Sequence, residues 1–461
     1  MGNADLQGRG SNTLITVNRE HLHMIYFSTN KSSIPVSLKR ATLEGLAPDG
    51  GLYVPSEIPH FSPEEINNLD GASFNNIAFA IAKKFIGGDI PLDQLSDMID
   101  TCFNFDTPIV PLDSNTFIEE LFCGPTLAFK DYGARFLARL TGIFAAEEKR
   151  LITVLVATSG DTGSAVAYGF QGITNTRVVL LYPSGKVSPI QEQQLTTAGN
   201  NVHALEVQGN FDDCQRMVKE AFVDLSLNKS LTLTSANSIN ISRLIPQSFY
   251  YAWASLQLKE LYGHNNPIFS VPSGNYGNLT AGVLAKRMGF PIGHFIAASN
   301  ANDSVTRYLD DGRYEPHPTV TTLSTAMDVG NPSNFSRLRY LYHNDHASMR
   351  RDITGIAVTD EETRTTIRSV HERFGYVMDP HTAVAFRALD EFRSTKGATE
   401  SAGIVLSTAH PVKFLEAIEA TLDKQIEIPS NLQELMEKKK SATLMRPEYK
   451  ELASFLNGLD Q

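Results

Sequence analysis

The sequence predicts an α/β protein with open, mostly parallel sheets and helices on both faces. Short apolar runs rich in β-formers recur along the chain, helix-period segments separate them, and small-residue loops stand where strand gives way to helix. The runs are "LITVLVAT" (151–158), "RVVLLYP" (177–183), "NVHALEV" (201–207), "PIFSVPS" (267–273), "HFIAAS" (294–299) and "AGIVLST" (402–408). Near-continuous apolar strands of this length belong to sheets covered on both sides. Segments 211–225 and 240–262 carry helical periodicity between them. Residues 24–112 mix short helical patterns with turn signals such as "APDGG" (47–51), which predicts an N-terminal subdomain. The expected division continues with an α/β region over 113–430, formed of two subdomains with a site between them, and a helical tail over 431–461.

Bulk properties narrow the function. Of 461 residues, 42% are hydrophobic and 20% charged, which is ordinary globular composition. A net charge of −11 argues against nucleic acid as a partner, because a duplex binder needs a positive face. The 3 cysteines, Cys102, Cys123 and Cys214, show no CxxC spacing, so neither a disulfide framework nor a zinc site is expected. Their number suits a reducing, cytoplasmic setting. No stretch reaches the ~20 apolar residues of a spanning helix, so no membrane partner is expected. Residues 1–23 have no secretory h-region and are expected to be a disordered leader or extension, with Met24 the more natural start.

The stretch "FCGPTLAFKDYGARF" (122–136) places Lys130 behind an apolar run, with Asp131 its adjacent acid. Phe136, Leu137, Leu140, Ile143 and Phe144 then recur at helical spacing. Lys130 thus falls in or near the first turn of a helix, where the dipole disfavours an ammonium, as does burial against Phe129. Both effects favour the neutral, reactive amine. Taken alone, the pattern also fits a lysine that snorkels to solvent along an apolar wall, the commoner use of lysine.

Small-residue loops follow the strands. "ATSGDTGSAVAYGF" (157–170) offers backbone N–H groups at a helix N-terminus, suited to a carboxylate or phosphate; it matches neither a P-loop nor GxGxxG. "VPSGNYGNLTAGVLAKRMG" (271–289) repeats the arrangement, with Gly274 and Gly277 permitting close backbone approach and a helix expected from near Leu279. Each alone is also explained by a tight turn. Together they lie at the carboxyl ends of strands, where open α/β sheets bind ligands. "TSANSINISRLIPQ" (234–247) gathers Asn237, Ser238, Asn240 and Arg243, a pattern that fits an anion site or a helix cap beside a surface arginine. "STAHPVKF" (407–414) adds hydroxyls and His410 after a buried strand.

In order and spacing, "GPTLAFKDYGARF", "ATSGDTGSAVA", "SANSINISRL", "VPSGNYGNLTAG" and "STAHPVKF" resemble threonine synthase, in its longer bacterial and fungal subclass. The resemblance runs from about Met24 to about residue 430 and includes "APDGGLYVP" and "AMDVGNPSNF" (326–335). It implies a fold type II enzyme (tryptophan synthase β-like) that uses pyridoxal 5′-phosphate, with Lys130 in Schiff-base linkage to it. By position it assigns Ser273, Gly274, Asn275, Tyr276, Gly277 and Asn278 to the cofactor phosphate and Thr408 to the pyridine nitrogen. Phe129 would pack on the ring, and Asp161 would face the 3′-oxygen, its protonation state left open. Thr158, Ser159, Gly160 and Thr162 would receive the substrate carboxylate. Asn240, Arg243 and Lys186, with Asn237 and Ser238 beside them, would take the substrate phosphate. No metal is implied.

The reaction implied is conversion of O-phospho-L-homoserine and water to L-threonine and phosphate, by a monomer or small homo-oligomer. Lys130 would move protons at Cα and then Cβ, and the released phosphate would help activate the water. Rival readings are a related phospho-lyase or dehydratase that yields 2-oxobutyrate, and a non-catalytic ligand-binding relative. A nucleotide-dependent kinase or dehydrogenase lacks the signature its chemistry needs.

Overall fold

The computed structural model describes residues 23–459, so nearly all of the expected leader lies outside the described residues. In chain order the strands are β1 (Ile25–Ser28), β2 (Val36–Ser37), β3 (Tyr53–Pro55), β4 (Ile109–Pro111), β5 (Thr116–Glu120), β6 (Ile152–Ala157) and β7 (Thr176–Pro183). Then come β8 (Val202–Val207), β9 (Thr232–Thr234), β10 (Ile268–Pro272), β11 (His294–Ser299), β12 (Ile353–Ala357), β13 (Gly403–Ser407) and β14 (Thr443–Met445). They form a 6-stranded sheet in the order β12-β11-β10-β13-β5-β4, a 5-stranded sheet β14-β8-β7-β6-β9 and a small antiparallel sheet β2-β1-β3. In the two larger sheets every pairing is parallel except β4 with β5.

The unbroken apolar strands have a direct explanation. In β6 and β7, Val154, Val156, Val178 and Leu180 enter the core on one face, while Leu155, Val179 and Leu181 enter another core on the opposite face. The larger sheet is covered likewise, with Phe269, Val271 and Phe295 on one side and Ile268, Ile296 and Val405 on the other. Each such side chain, fully buried, contributes about 1.5–3 kcal/mol by removal from water.

The N-terminal helices are continuous with this packing. Ile77, Ile81 and Phe85 of the helix Phe74–Ile86 share a core with Phe249 and Tyr250 of the helix Gln247–Tyr262. The periodic segment 240–262 is not one helix: Ile241–Leu244 ends before Pro246, and Gln247–Tyr262 begins after it. The tail beyond residue 430 is not purely helical either. Its β14 joins the smaller sheet, Thr443 aligned with Leu205 of β8. Among the described residues no helix is long and apolar enough to cross a membrane, no cluster of acidic, histidine or cysteine side chains could hold a metal, and all the cysteines are free.

Candidate active site

Beyond β5 the chain turns sharply at Leu127, whose φ of 58° is left-handed, and then runs beside the end of β13. Ala128 bridges Ala409, the Phe129 N–H donates to the Thr408 carbonyl at 2.9 Å, and His410 N–H donates to the Leu127 carbonyl at 3.0 Å. These bonds place Lys130 beside Thr408, at the first position of the helix Lys130–Glu148. Phe136, Leu137, Leu140 and Phe144 are buried along that helix, as their spacing predicts.

Asp131 turns away from the lysine. It accepts from Thr126 N–H at 2.9 Å and Thr126 Oγ1 at 2.7 Å, and burial pushes its carboxyl up to about 6. The acid that faces Lys130 comes from the other sheet: Nζ stands 3.4 Å from Asp161 Oδ2. Phe129's ring centroid is 5.7 Å from the same Nζ. Burial drives the Lys130 pKa below its ordinary value; Asp161 pulls the other way, and Lys413 and Arg243 add to the depression.

Asp161 opens the helix Asp161–Phe170 that follows β6. The loop ahead of it is braced from within, because Thr158 Oγ1 accepts the Gly160 N–H at 3.0 Å and the Gly163 N–H at 2.8 Å. Gly160 has φ 139°, and a side chain there would collide with the Gln191 amide. Ser159 is exposed and Thr162 half-buried, so the loop presents them outward. Lys413 Nζ meets Asp161 Oδ1 at 2.8 Å, and Gln191 Nε2 donates to the same oxygen at 2.9 Å. Burial raises the Asp161 pKa, but Lys413 and then Lys130 outweigh it and hold the carboxyl well below the usual range. In the chain alone, the two lysines therefore favour the charged form of Asp161.

The second loop carries no acid. The helix Gly277–Arg287 starts two residues earlier than expected, with Tyr276 at φ 60° as its cap. Among the described residues the N–H groups of Gly274 to Asn278 find no acceptor, which makes a concave cluster of free donors. Gly274 is required by contact: a Cβ would lie 2.6 Å from Met327 Cα. Ser273 Oγ is spent on the Val271 carbonyl at 2.8 Å. Asn275 Nδ2 donates to Ser238 Oγ at 2.6 Å, and its Oδ1 accepts from Ser333 N–H at 2.6 Å. Asn278 Oδ1 takes the hydroxyls of Tyr250 and Tyr251 at 2.6 and 2.7 Å, leaving its buried Nδ2 unpartnered.

Segment 234–247 is reached by Arg337, a fully buried guanidinium. Its Nε donates to the Tyr53 carbonyl at 3.0 Å, and NH1 donates to Ser238 O at 3.1 Å and Asn334 Oδ1 at 2.7 Å. None of these partners is an anion, and burial brings its pKa down to about 9. Arg243 is also buried; NH1 donates to the Ala236 carbonyl at 2.6 Å, Nε has no partner, and burial lowers its pKa to about 10. Asn240 departs from expectation. Its Oδ1 caps Ser242 N–H at 3.0 Å, and both amide hydrogens are used on Thr42 O and Ser235 O, so no donor remains for a phosphate. Asn237 is half-buried, and its carbonyl accepts from Asn240 N–H at 3.1 Å. Lys186 sits in the exposed loop after β7 and makes no side-chain bond among the described residues.

Residues passed over in the sequence complete the picture. Lys413 stands in "STAHPVKF" with nothing in its neighbourhood to mark it, because its partner Asp161 lies more than two hundred positions away. Gln191 forms a capping box with Ser188, a signal that identifies a helix start and nothing more. His410 is a cap, accepting from Val412 N–H at 3.1 Å, and burial lowers its pKa.

Comparison with known proteins agrees with this geometry. The chain matches the family described as threonine synthase N terminus over 25–103, pyridoxal-phosphate dependent enzyme over 103–408, and threonine synthase, C-terminal, over 382–456. The last match carries the resemblance past residue 430, where the sequence motifs had stopped. Threonine synthase of Serratia marcescens is 43% identical over 92% of this chain and 97% of its own. That of Escherichia coli (strain K12) is 44% identical over 87% and 91%. The crystal structure of PLP-bound threonine synthase from Brucella melitensis superimposes with a TM-score of 0.89 at 38% identity, covering 94% of this chain and 99% of that one. With a buried lysine facing a carboxylate, a cluster of free N–H donors and these likenesses along nearly its whole length, the chain belongs to the threonine synthase family of fold type II, pyridoxal-phosphate-dependent enzymes.

Proposed function

We propose that the chain converts O-phospho-L-homoserine and water to L-threonine and phosphate, with Lys130 as the lysine that carries pyridoxal phosphate. The supporting observation is a largely buried amine held 3.4 Å from Asp161, together with an acid-free cluster of main-chain donors at the start of the helix Gly277–Arg287. The residues present fit the cofactor. Gly274 to Asn278 would hold its phosphate through N–H groups, Ser273 would shape that turn, Thr408 would offer a hydroxyl to the pyridine nitrogen, Phe129 would pack on the ring, and Asp161 would face the 3′-oxygen. When bound, the cofactor supplies an electron sink that makes the Cα–H of an attached amino acid acidic.

The chain's own residues do the rest. Lys130, its pKa depressed by burial, would accept the Cα proton in its neutral form and would then serve the proton at Cβ. Ser159, Gly160 and Thr162 would receive the substrate carboxylate, with Thr158 bracing that loop. Arg243 and Lys186, with Asn237 and Ser238, would face the substrate phosphate, while Asn240 is reassigned to holding the segment in place. The buried cations Arg243 and Arg337 have no carboxylate bonded to them, so they leave positive potential for a dianionic substrate in a protein of net charge −11. Free cysteines agree with a cytoplasmic setting.

Borohydride reduction of the loaded enzyme followed by peptide mass spectrometry is expected to put the cofactor mass on Lys130; another lysine overturns the assignment. Threonine and phosphate in equal amounts support the reaction, and 2-oxobutyrate as main product refutes it. Lys130→Ala is expected to lose the visible cofactor band and at least ~1000-fold in kcat/KM, about 4 kcal/mol of transition-state stabilisation.

A further inference from the structure

Asp161 has a lysine on either side. Lys413, buried and also donating to the Thr126 carbonyl at 2.9 Å, takes Oδ1 at 2.8 Å; Lys130 reaches Oδ2 only at 3.4 Å. Gln191 adds a third contact, again on Oδ1. The carboxylate is therefore already neutralised by the nearer lysine, and Lys130 meets the weaker side of a compensated group. A lone carboxylate at the same place would hold Lys130 as an ammonium, because an opposite charge within about 4–6 Å favours the charged form.

We propose that Lys413 is a positioning residue that occupies Asp161, so that Lys130 is left without a full countercharge and meets the cofactor as a neutral amine. This rests on the reading of Lys130 given above and deepens it. The charged groups around the pair are few. Lys130 faces Asp161, Lys413 and Arg243; Asp161 faces Lys130 and Lys413; and Lys413 is also felt by Asp131 and His410. Thr126 links both ends, since it accepts from Lys413 through its carbonyl and donates to Asp131 through its hydroxyl and N–H. The HPVKF turn thereby fixes the segment that leads into Lys130.

The test uses the full chain, stripped of cofactor and reloaded with pyridoxal phosphate, with the reloading rate followed by absorbance across pH. Lys413→Met is expected to move the midpoint of that profile up by at least about one pH unit, roughly tenfold slower reloading at pH 7. Lys413→Arg should reload like the natural chain. In an Asp161→Asn background, Lys413→Met should move the midpoint less than half as far. An unmoved midpoint in folded Lys413→Met, or an equal movement in both backgrounds, overturns the proposal. If circular dichroism shows Lys413→Met unfolded, Asp161→Asn alone decides, because removing the carboxylate must lower the midpoint; an unchanged or higher midpoint sinks the idea. Failure of the Lys130 assignment is distinct, because it shows as a reduced adduct on a different lysine.

Discussion

The two strand–loop–helix junctions that follow β6 and β10 solve opposite problems. Loop 158–163 of the smaller sheet holds itself, since Thr158 collects the Gly160 and Gly163 N–H groups with its own hydroxyl. It also delivers an acid into the first turn of its helix. Loop 273–278 of the larger sheet is held from outside by Ser238, Ser333 and the Met327 backbone, and it keeps its main-chain donors free of any acid. The first junction therefore carries charge and the second carries free main-chain donors. The same local pattern in sequence, a β run followed by small residues, conceals this division.

The contrast can be broken most severely at Gly274. In Gly274→Ala the new methyl meets backbone and not a flexible side chain, and overpacking of this kind costs about 3 kcal/mol. Cofactor retention measured by equilibrium dialysis should weaken ~100-fold, because 1.36 kcal/mol is a factor of ten. Next comes Thr158→Val, which orphans buried N–H groups at a cost of about 2 kcal/mol. That loss should appear in urea unfolding, with cofactor affinity little changed. Asn275→Ala should do the reverse on a smaller scale, about 1 kcal/mol, read as several-fold weaker retention at an unchanged melting temperature. A Thr158→Val chain that melts normally but sheds cofactor would erase the distinction between an inwardly and an outwardly braced loop.

The smallest effect concerns a second buried acid. Glu119, in β5, has neither carboxylate oxygen partnered, and its charge is felt by Tyr250 and Tyr251, which donate to Asn278 beside the second loop. Burial raises its pKa well above 4.5, whereas Asp161 is held below 3.8. The signs are opposite. Above 4.5 the unfolded chain has lost the Glu119 proton that the native chain keeps, so this group costs stability as pH rises toward its native value. Stability from Asp161 is complete above 3.8 and fades as pH falls below it. Glu119→Gln should leave stability within about 1 kcal/mol at pH 5 and flatten its decline as pH rises in urea titrations; an unaltered decline would show that Glu119 is not the source.

The long apolar strands were legible because burial on both faces leaves their composition no choice. Predicted and observed bounds of β6, β7, β8, β10, β11 and β13 differ by no more than about a residue or two, the usual fraying of element ends. The short strands β4, β9, β12 and β14 were not legible, being defined by neighbours that pair with them and not by their own residues. The same limit applied to the site. Lys130 and the small-residue loops stand out in the sequence, but their expected roles, like that of Thr408, come from the family resemblance and not from local chemistry. Lys413 does not stand out, because only the fold brings its amine to Asp161. Asn240 reads in the sequence as ligand or cap; among the described residues its side chain caps Ser242 and bonds the carbonyls of Thr42 and Ser235.

Arg337 has a consequence for how the molecule is assembled. Its contact with Tyr53 closes a separation of 284 positions, and Asn240 reaches back 198 positions to Thr42. Closures of that span come late, since chain entropy must be surrendered before they reward it. These two bonds form only when the first eighth of the polypeptide folds back onto Arg337 and Asn240. A truncated chain that starts at β4 would lack the carbonyls that these side chains need, so the amino-terminal module acts as a keystone and is no detachable appendage.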